Sequence, residues 1–221
     1  MWLNSRRNYK EITSEERKAY EAVLAKEETG NPFVRRNLYF HYPEAVKHYL
    51  SLFPNNHICL EDMKKRDLHA INEDFCELYH RQGTTERDIL HFINHDPQAY
   101  HIIGSIFGAG GFRVGHHDAY LFPEFRLGND YRADYLLIGK GSGGYEFIFV
   151  ELERPNGSVA LKNGHLGQVI RGGENQIEDW KLWIDSNFAK LEAFFDSENK
   201  LIKHCRLSFI TMILPVYTLL L

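Results

Sequence analysis

Apolar positions along this chain follow two rhythms. Through the first 80 residues they recur at near-helical spacing. Residues 61–80 carry Met63, Leu68, Ile71, Phe75 and Leu78, which predicts a helix. Thr13 and Glu16 have the spacing of a capping box ahead of a helix over 15–28. Pro43 opens a short amphipathic segment with Ala45, Val46, Tyr49 and Leu50. Gln82-Gly83-Thr84 interrupts the pattern and marks a soft boundary. Thr85 then caps a helix with Ile89, Leu90, Phe92 and Ile93 on one side. Pro97 starts another, which runs to Gly108-Ala109-Gly110-Gly111.

Beyond these glycines the rhythm changes. Residues 120–127 are aromatic and extended. Residues 131–138 and 145–153 read as two strands, and the glycine-rich segment 139–144 between them makes a hairpin. The strand centres, 135–138 and 147–150, are continuously apolar, which predicts burial on both faces. A loop leads to a helix from Gln168 or Glu174 to Phe195. Its apolar stripe is Ile177, Trp180, Trp183, Ile184, Phe188, Leu191 and Phe194 or Phe195. A strand over 206–214 closes the pattern. The fold class is therefore α/β: a mixed sheet flanked by helices, preceded by a small helical region over 1–84.

Two carboxylates interrupt the apolar hairpin. Asp134 lies inside the first strand and Glu151 ends the apolar run of the second. Burying an ionised carboxylate is costly unless a cation or hydrogen-bond donors compensate. If Ile138 pairs with Tyr145, Asp134 faces Phe149 and becomes a diagonal neighbour of Glu151, roughly 7–8 Å away at Cα. Such a pair can share one divalent ion, and oxygen ligands favour Mg²⁺, Mn²⁺ or Ca²⁺ over zinc. The residues equally allow a plainer arrangement, in which Arg132 and Arg154 each neutralise one carboxylate.

Four segments carry a resemblance. They are Pro123-Glu124-Phe125-Arg126-Leu127-Gly128, Arg132-Ala133-Asp134-Tyr135-Leu136-Leu137, Phe149-Val150-Glu151-Leu152-Glu153-Arg154-Pro155 and Gln176-Ile177-Glu178-Asp179-Trp180. In this order they resemble the nuclease domain of the Shedu anti-phage defence proteins, over roughly residues 85–214. The resemblance implies a PD-(D/E)XK, restriction-endonuclease-like fold over 85–221. It also implies Mg²⁺- or Mn²⁺-dependent DNA cleavage, defence against phage in prokaryotes, and homo-oligomerisation. Asp134 and Glu151 match the metal-binding acids, Glu124 an additional acidic residue, and Gln176 the glutamine on the following helix. The pattern departs at Glu153, where the superfamily's usual Glu-x-Lys carries lysine, although some Shedu-like sequences share the Glu-Leu-Glu form. That lysine orients the attacking water and steadies charge on the phosphate. Glu153 would act instead as metal ligand or general base, with positive charge coming from Lys162, Arg154 or Arg171. Lys162, His165 and Arg171 are also candidate DNA-backbone contacts, together with Arg154. Domains of this kind continue past a final strand like 206–214, so a C-terminally truncated chain is one expectation.

Composition adjusts this reading. The 221 residues are 43% hydrophobic and 25% charged, an ordinary globular balance sufficient for one good core. A net charge of -4 weighs against DNA binding by the surface as a whole, but not against a local basic channel. Cys59, Cys76 and Cys205 form no CxxC pair, and residues 1–10 lack a signal peptide, so a cytoplasmic location is expected. The apolar run 207–221 is shorter than a membrane helix and contains Pro215, so it reads as strand and no membrane partner is expected. Trp180 and Trp183 read as core, and His116-His117-Asp118 as a solvated turn. Lys64-Lys65-Arg66 and Arg35-Arg36 read as solvated surface. Two further functions stand beside the endonuclease. One is a catalytically impaired DNA-binding or scaffold protein, favoured by Glu153 and the acidic charge. The other is a sensor whose helical N-terminal part gates the nuclease domain.

Overall fold

The computed structural model describes residues 14–27, 53, 56–58, 68–96, 99–109, 119–141, 144–158, 160–194 and 205–213. In chain order the elements are α1 (Ser14–Glu27), β1 (His57–Ile58), α2 (His69–His80), α3 (Glu86–His95), α4 (Tyr100–Gly104), α5 (Ile106–Ala109), β2 (Ala119–Leu127), β3 (Tyr131–Gly141), β4 (Gly144–Glu153), α6 (Gln168–Phe194) and β5 (Cys205–Ile213). The strands form one sheet in the order β1-β2-β3-β4-β5. The first four run antiparallel and β5 runs parallel to β4, so the sheet is mixed, as the apolar pattern predicts. Among the described residues no helix is long and apolar enough to cross a membrane. Thr13, segment 43–50, the two basic clusters and His116-His117-Asp118 lie outside the described residues.

Unbroken apolar strands need cover on both faces, and they receive it. On one face Ile89, Ile93, Ile102 and Ile103 pack against Tyr135, Leu137, Ile148 and Val150. On the other Ile177, Trp180, Trp183 and Ile184 of α6 pack against Leu136, Ile138, Phe147 and Phe149. Each such side chain contributes about 1.5–3 kcal/mol when fully buried. The first of these cores crosses the boundary expected at Gly83, because it includes Ile58 and Phe75. Phe53 joins the second, with its ring 5.3 Å from Tyr120 and 5.2 Å from Phe122.

Several elements differ from expectation. The short strand β1 sits within the region expected to be helical, and pairs with β2 through His57↔Tyr120 and Ile58↔Ala119. The helix expected from Pro97 is two short ones, α4 and α5, parted at Ser105, whose hydroxyl donates to the Ile102 carbonyl at 2.7 Å. Phe188 leaves the apolar stripe of α6 and is exposed. The helix kinks at Asn187 (φ -129°, ψ 22°), whose side-chain amide donates to the Trp183 carbonyl at 2.9 Å, and the kink shifts the helical phase.

The hairpin register also needs correction. Ile138 pairs with Phe147, not Tyr145, because the ladder continues into the glycine segment as far as Gly141↔Gly144. Two residues are left for the connection. A shift of two preserves which face each side chain takes. It moves Asp134 from a diagonal position to the one directly opposite Glu151.

Strict strand alternation fails in β2, and likewise in β3, where Ala133 and Leu136 enter one core. Phe122 and Phe125, three residues apart, enter the same core with ring centroids 6.0 Å apart. In a regular strand they would point to opposite faces. Glu124 between them has φ 49°, the left-handed region that non-glycine residues seldom occupy, and absorbs the switch. The ladder pairs Pro123 with Tyr135 and Phe125 with Ala133, but skips the position where Glu124 would meet Asp134.

The turn after β2 closes against α6. Gly128 has φ 64°, and a Cβ there would stand 2.7 Å from Trp183 Cζ2. The indole N–H donates to Asp130 at 3.0 Å, which holds the ring in place. Gly128→Ala combines left-handed strain with overpacking, and is expected to cost roughly 2–4 kcal/mol. Thermal unfolding measures it; a Tm equal to that of the parent protein refutes the wedge.

Candidate active site

At one end of the sheet, between α3 and α6, lies a cleft of about 520 Å³. Five elements build it. Strands β2, β3 and β4 supply Glu124, Arg132, Asp134, Glu151 and Glu153; α3 supplies Glu86, Arg87 and Leu90; α6 supplies Gly172 and Gln176. All the residues expected from the sequence as catalytic or metal-binding therefore meet in one place. Of the expected DNA contacts, Lys162, His165, Arg171 and Arg154 are exposed and none lines the cleft. The cations that do line it are Arg87 and Arg132.

The floor is the carboxylate pair. The β3–β4 ladder ends at Tyr135↔Val150, and Asp134 Oδ2 accepts the Leu152 N–H at 2.7 Å where strand backbone would otherwise do so. In extended chain the N–H and C=O of one residue point to the same side. The Leu152 carbonyl therefore also faces the Asp134 side of β4. Glu151 is 4% exposed, hydrogen-bonds to Asp134 through its carboxyl, and has Oε2 buried without a partner.

Neither arginine neutralises this pair. Arg132 binds Glu124 at 2.9 Å on the exposed rim, and Arg154 acts on Glu153. Burial, opposed by the Leu152 N–H and more weakly by the Arg132 charge, and reinforced by the charges of Glu86 and Glu124, pushes Asp134 up to about 7. Burial and the adjacent Asp134 push Glu151 up to about 9. Without a cation the two carboxyls retain a proton near neutral pH, as closely placed acids do. Burial also raises Glu153 and Glu86.

Glu153 is turned toward α6. Its Oε1 lies 3.4 Å from where a Cβ on Gly172 would stand, and the Gly173 backbone N–H partly offsets the effect of burial on its carboxyl. Gln176, one turn further on, is half-buried and also lines the cleft.

Glu86 and Arg87 were not among the residues singled out from the sequence. The available signal was the capping box: Thr85 Oγ1 accepts the Asp88 N–H at 3.3 Å, and Asp88 accepts the Thr85 N–H at 2.8 Å. It fixes where α3 starts, but not what its first turn approaches. That follows from Asn156, which donates to the Arg81 carbonyl at 3.1 Å and the Thr84 carbonyl at 3.4 Å, tying the segment after β4 to the α2–α3 turn.

Hard oxygen donors and a buried, unpartnered carboxylate oxygen fit a small divalent cation. Among the described residues no three His, Cys, Asp or Glu side chains converge on one ligand point. Mg²⁺ is nonetheless commonly held by one or two carboxylates, with water and substrate oxygens completing its shell.

The pair has a measurable signature. Between the ordinary carboxylate range near pH 4 and the raised values of about 7 and 9, the folded protein binds more protons than the unfolded chain. Stability in chelator therefore falls as pH rises through this window. Asp134→Asn keeps an acceptor for Leu152 and removes one charge. It is expected to flatten the decline and raise Tm at pH 9, by roughly 2–4 °C for each kcal/mol relieved. Tm against pH in EDTA checks this; parallel curves for the two proteins would contradict the buried-pair geometry.

A family model described as Shedu protein SduA, C-terminal, matches residues 83–218. No curated protein and no solved structure matches the chain. The matched span takes in most of the chain and every residue lining the cleft, and on that match the chain belongs to the Shedu family.

Proposed function

We propose that this chain is a metal-dependent nuclease of the PD-(D/E)XK type, hydrolysing DNA phosphodiesters in prokaryotic anti-phage defence and working as a homo-oligomer. The observation that carries the reading is the Asp134–Glu151 pair: a half-buried and a buried acid side by side at the floor of an open cleft, with no ion pair to either among the described residues. Strained or electrostatically costly groups concentrate at functional sites, and a cation removes the cost here. The mixed sheet between helical layers agrees with the fold that the sequence resemblance implied.

Asp134, Glu151 and the Leu152 carbonyl would hold the ion, with Glu124 at the rim. A bound Mg²⁺ or Mn²⁺ supplies Lewis acidity toward the phosphoryl oxygen and makes a coordinated water more acidic. Glu153, whose pKa burial raises, is suited to accept the proton of an attacking water. Gln176 on α6 orients that water or the ligand strand. Leu90 supplies an apolar wall on the α3 side of the cleft.

A second reading has its own support. Glu153 replaces the usual lysine, and the cleft is rich in carboxylates, so a catalytically impaired DNA-binding or scaffold protein would keep the same fold.

Incubation of the purified chain with linear and circular DNA, in Mg²⁺, in Mn²⁺ and in chelator, separates the two. The nuclease reading expects cleavage that chelator abolishes and that Asp134→Ala lowers by at least about 10³-fold. DNA binding without cleavage selects the scaffold. Cleavage that survives both treatments removes the cleft from the chemistry.

A further inference from the structure

The cleft is short of positive charge. Its lining holds five carboxylates, Glu86, Glu124, Asp134, Glu151 and Glu153, against two guanidinium groups, Arg87 and Arg132. One divalent cation offsets two of these negative charges. A phosphodiester entering the site brings another, so a further cation must meet it. The position where the superfamily's Glu-x-Lys pattern places lysine cannot supply one, because Glu153 carries no positive charge and lies beside α6. Arg132 is engaged by Glu124 at 2.9 Å on the rim. Lys162, His165 and Arg171 are exposed and stand outside the cleft lining.

Arg87 remains. It is the second residue of α3, it lines the cleft, and among the described residues it has no ion pair. Its backbone is held firmly. The Thr85–Asp88 capping box fixes the helix start, Ile89 and Ile93 are buried, and Asn156 clasps the preceding turn to the end of β4. An exposed, flexible side chain thus projects from a rigid base beside the carboxylate floor. A guanidinium presents a planar fork that matches two phosphate oxygens at once, which an ammonium does not.

We infer that Arg87 contacts the scissile phosphate in this cleft, and takes over the charge-stabilising role that lysine has at position 153 in related sequences. The inference rests on the nuclease reading above.

The test compares Arg87→Gln, Arg87→Lys, Arg132→Gln and Asp134→Ala in the full chain. Two readouts are used: cleavage of a linear duplex in Mg²⁺ or Mn²⁺, and binding of the same duplex in Ca²⁺ over a range of salt. Arg87→Gln is expected to cleave about 10²-fold more slowly at saturating DNA, as when one preorganised donor to a developing charge is lost. Its binding should show a salt slope smaller by about one. Arg87→Lys should recover part of the rate, Arg132→Gln should lose less, and Tm should not change because Arg87 is exposed. If the parent chain binds without cleaving, the salt slope alone decides. Arg87→Gln indistinguishable from the parent, with Asp134→Ala inactive, overturns the inference and leaves the nuclease reading standing. A parent chain that neither binds nor cleaves DNA overturns both.

Discussion

Two acids sit side by side here because strand pairing leaves them nowhere else to go. The β3–β4 register, extended past Tyr135↔Val150, brings Asp134 opposite Glu151. Each adjoining residue in the two strands is committed to a core. Tyr135 and Val150 are held by the layer containing α3, Leu136 and Phe149 by α6. Moving either carboxylate away would drag a large apolar side chain out of place, at about 1.5–3 kcal/mol for each one exposed. Repulsion between two buried charges is thus set against packing on both sides of the sheet, and packing wins. A retained proton or a bound cation relieves what repulsion remains. The Leu152 N–H gives partial relief by donating to Asp134, and leaves Glu151 Oε2 unsatisfied.

The same end of the sheet is where regular strand geometry stops. Glu124 takes a left-handed conformation, the β2–β3 ladder misses one pair, and the β3–β4 ladder ends. An intact ladder would direct alternate side chains into two closed cores and leave no room for water or ligand. Interrupted, it opens a gap between the helical layers, into which α3 and α6 each send residues. The strain at Glu124 costs on the order of 1–3 kcal/mol. It keeps Phe122 and Phe125 in one core, and it frees the strand edge that the cleft needs.

Much of this was legible in the sequence, for definite reasons. Period-two and continuous apolar runs located β2, β3, β4 and β5, because burial dictates that pattern directly. The anomaly of Asp134 and Glu151 within such runs was visible for the same reason. The register was not, since glycines 139–144 were compatible with a longer loop, and only the observed pairing shows that they continue the ladder. Strand β1 was hidden because two residues carry no periodicity. The kink at Asn187 was hidden because a helix stripe looks continuous until a side chain competes for a backbone carbonyl. Glu86 and Arg87 were hidden for a different reason. Which loop clasps which is a matter of tertiary contact, and Asn156 lies 72 residues from Thr84.

That clasp bears on where the cleft obtains its positive charge. Net charge of -4 describes the whole surface, yet association at a cleft depends on charges within about a Debye length, roughly 8–10 Å. The five carboxylates lining the cleft are spread over α3, β2, β3 and β4, and two of them, Asp134 and Glu151, form its floor. The rim bears guanidinium groups from two different elements, Arg132 on β3 and Arg87 on α3. The charge pattern therefore exists only while α3 is docked, and α3 is docked through Asn156 and through the core it shares with Phe75 of α2. Anything that lifts α2 from that core also moves the first turn of α3 away from the carboxylates. Helix α2 and the acids of β3 and β4 are thus mechanically linked, through the residues where the cleft acquires its positive charge.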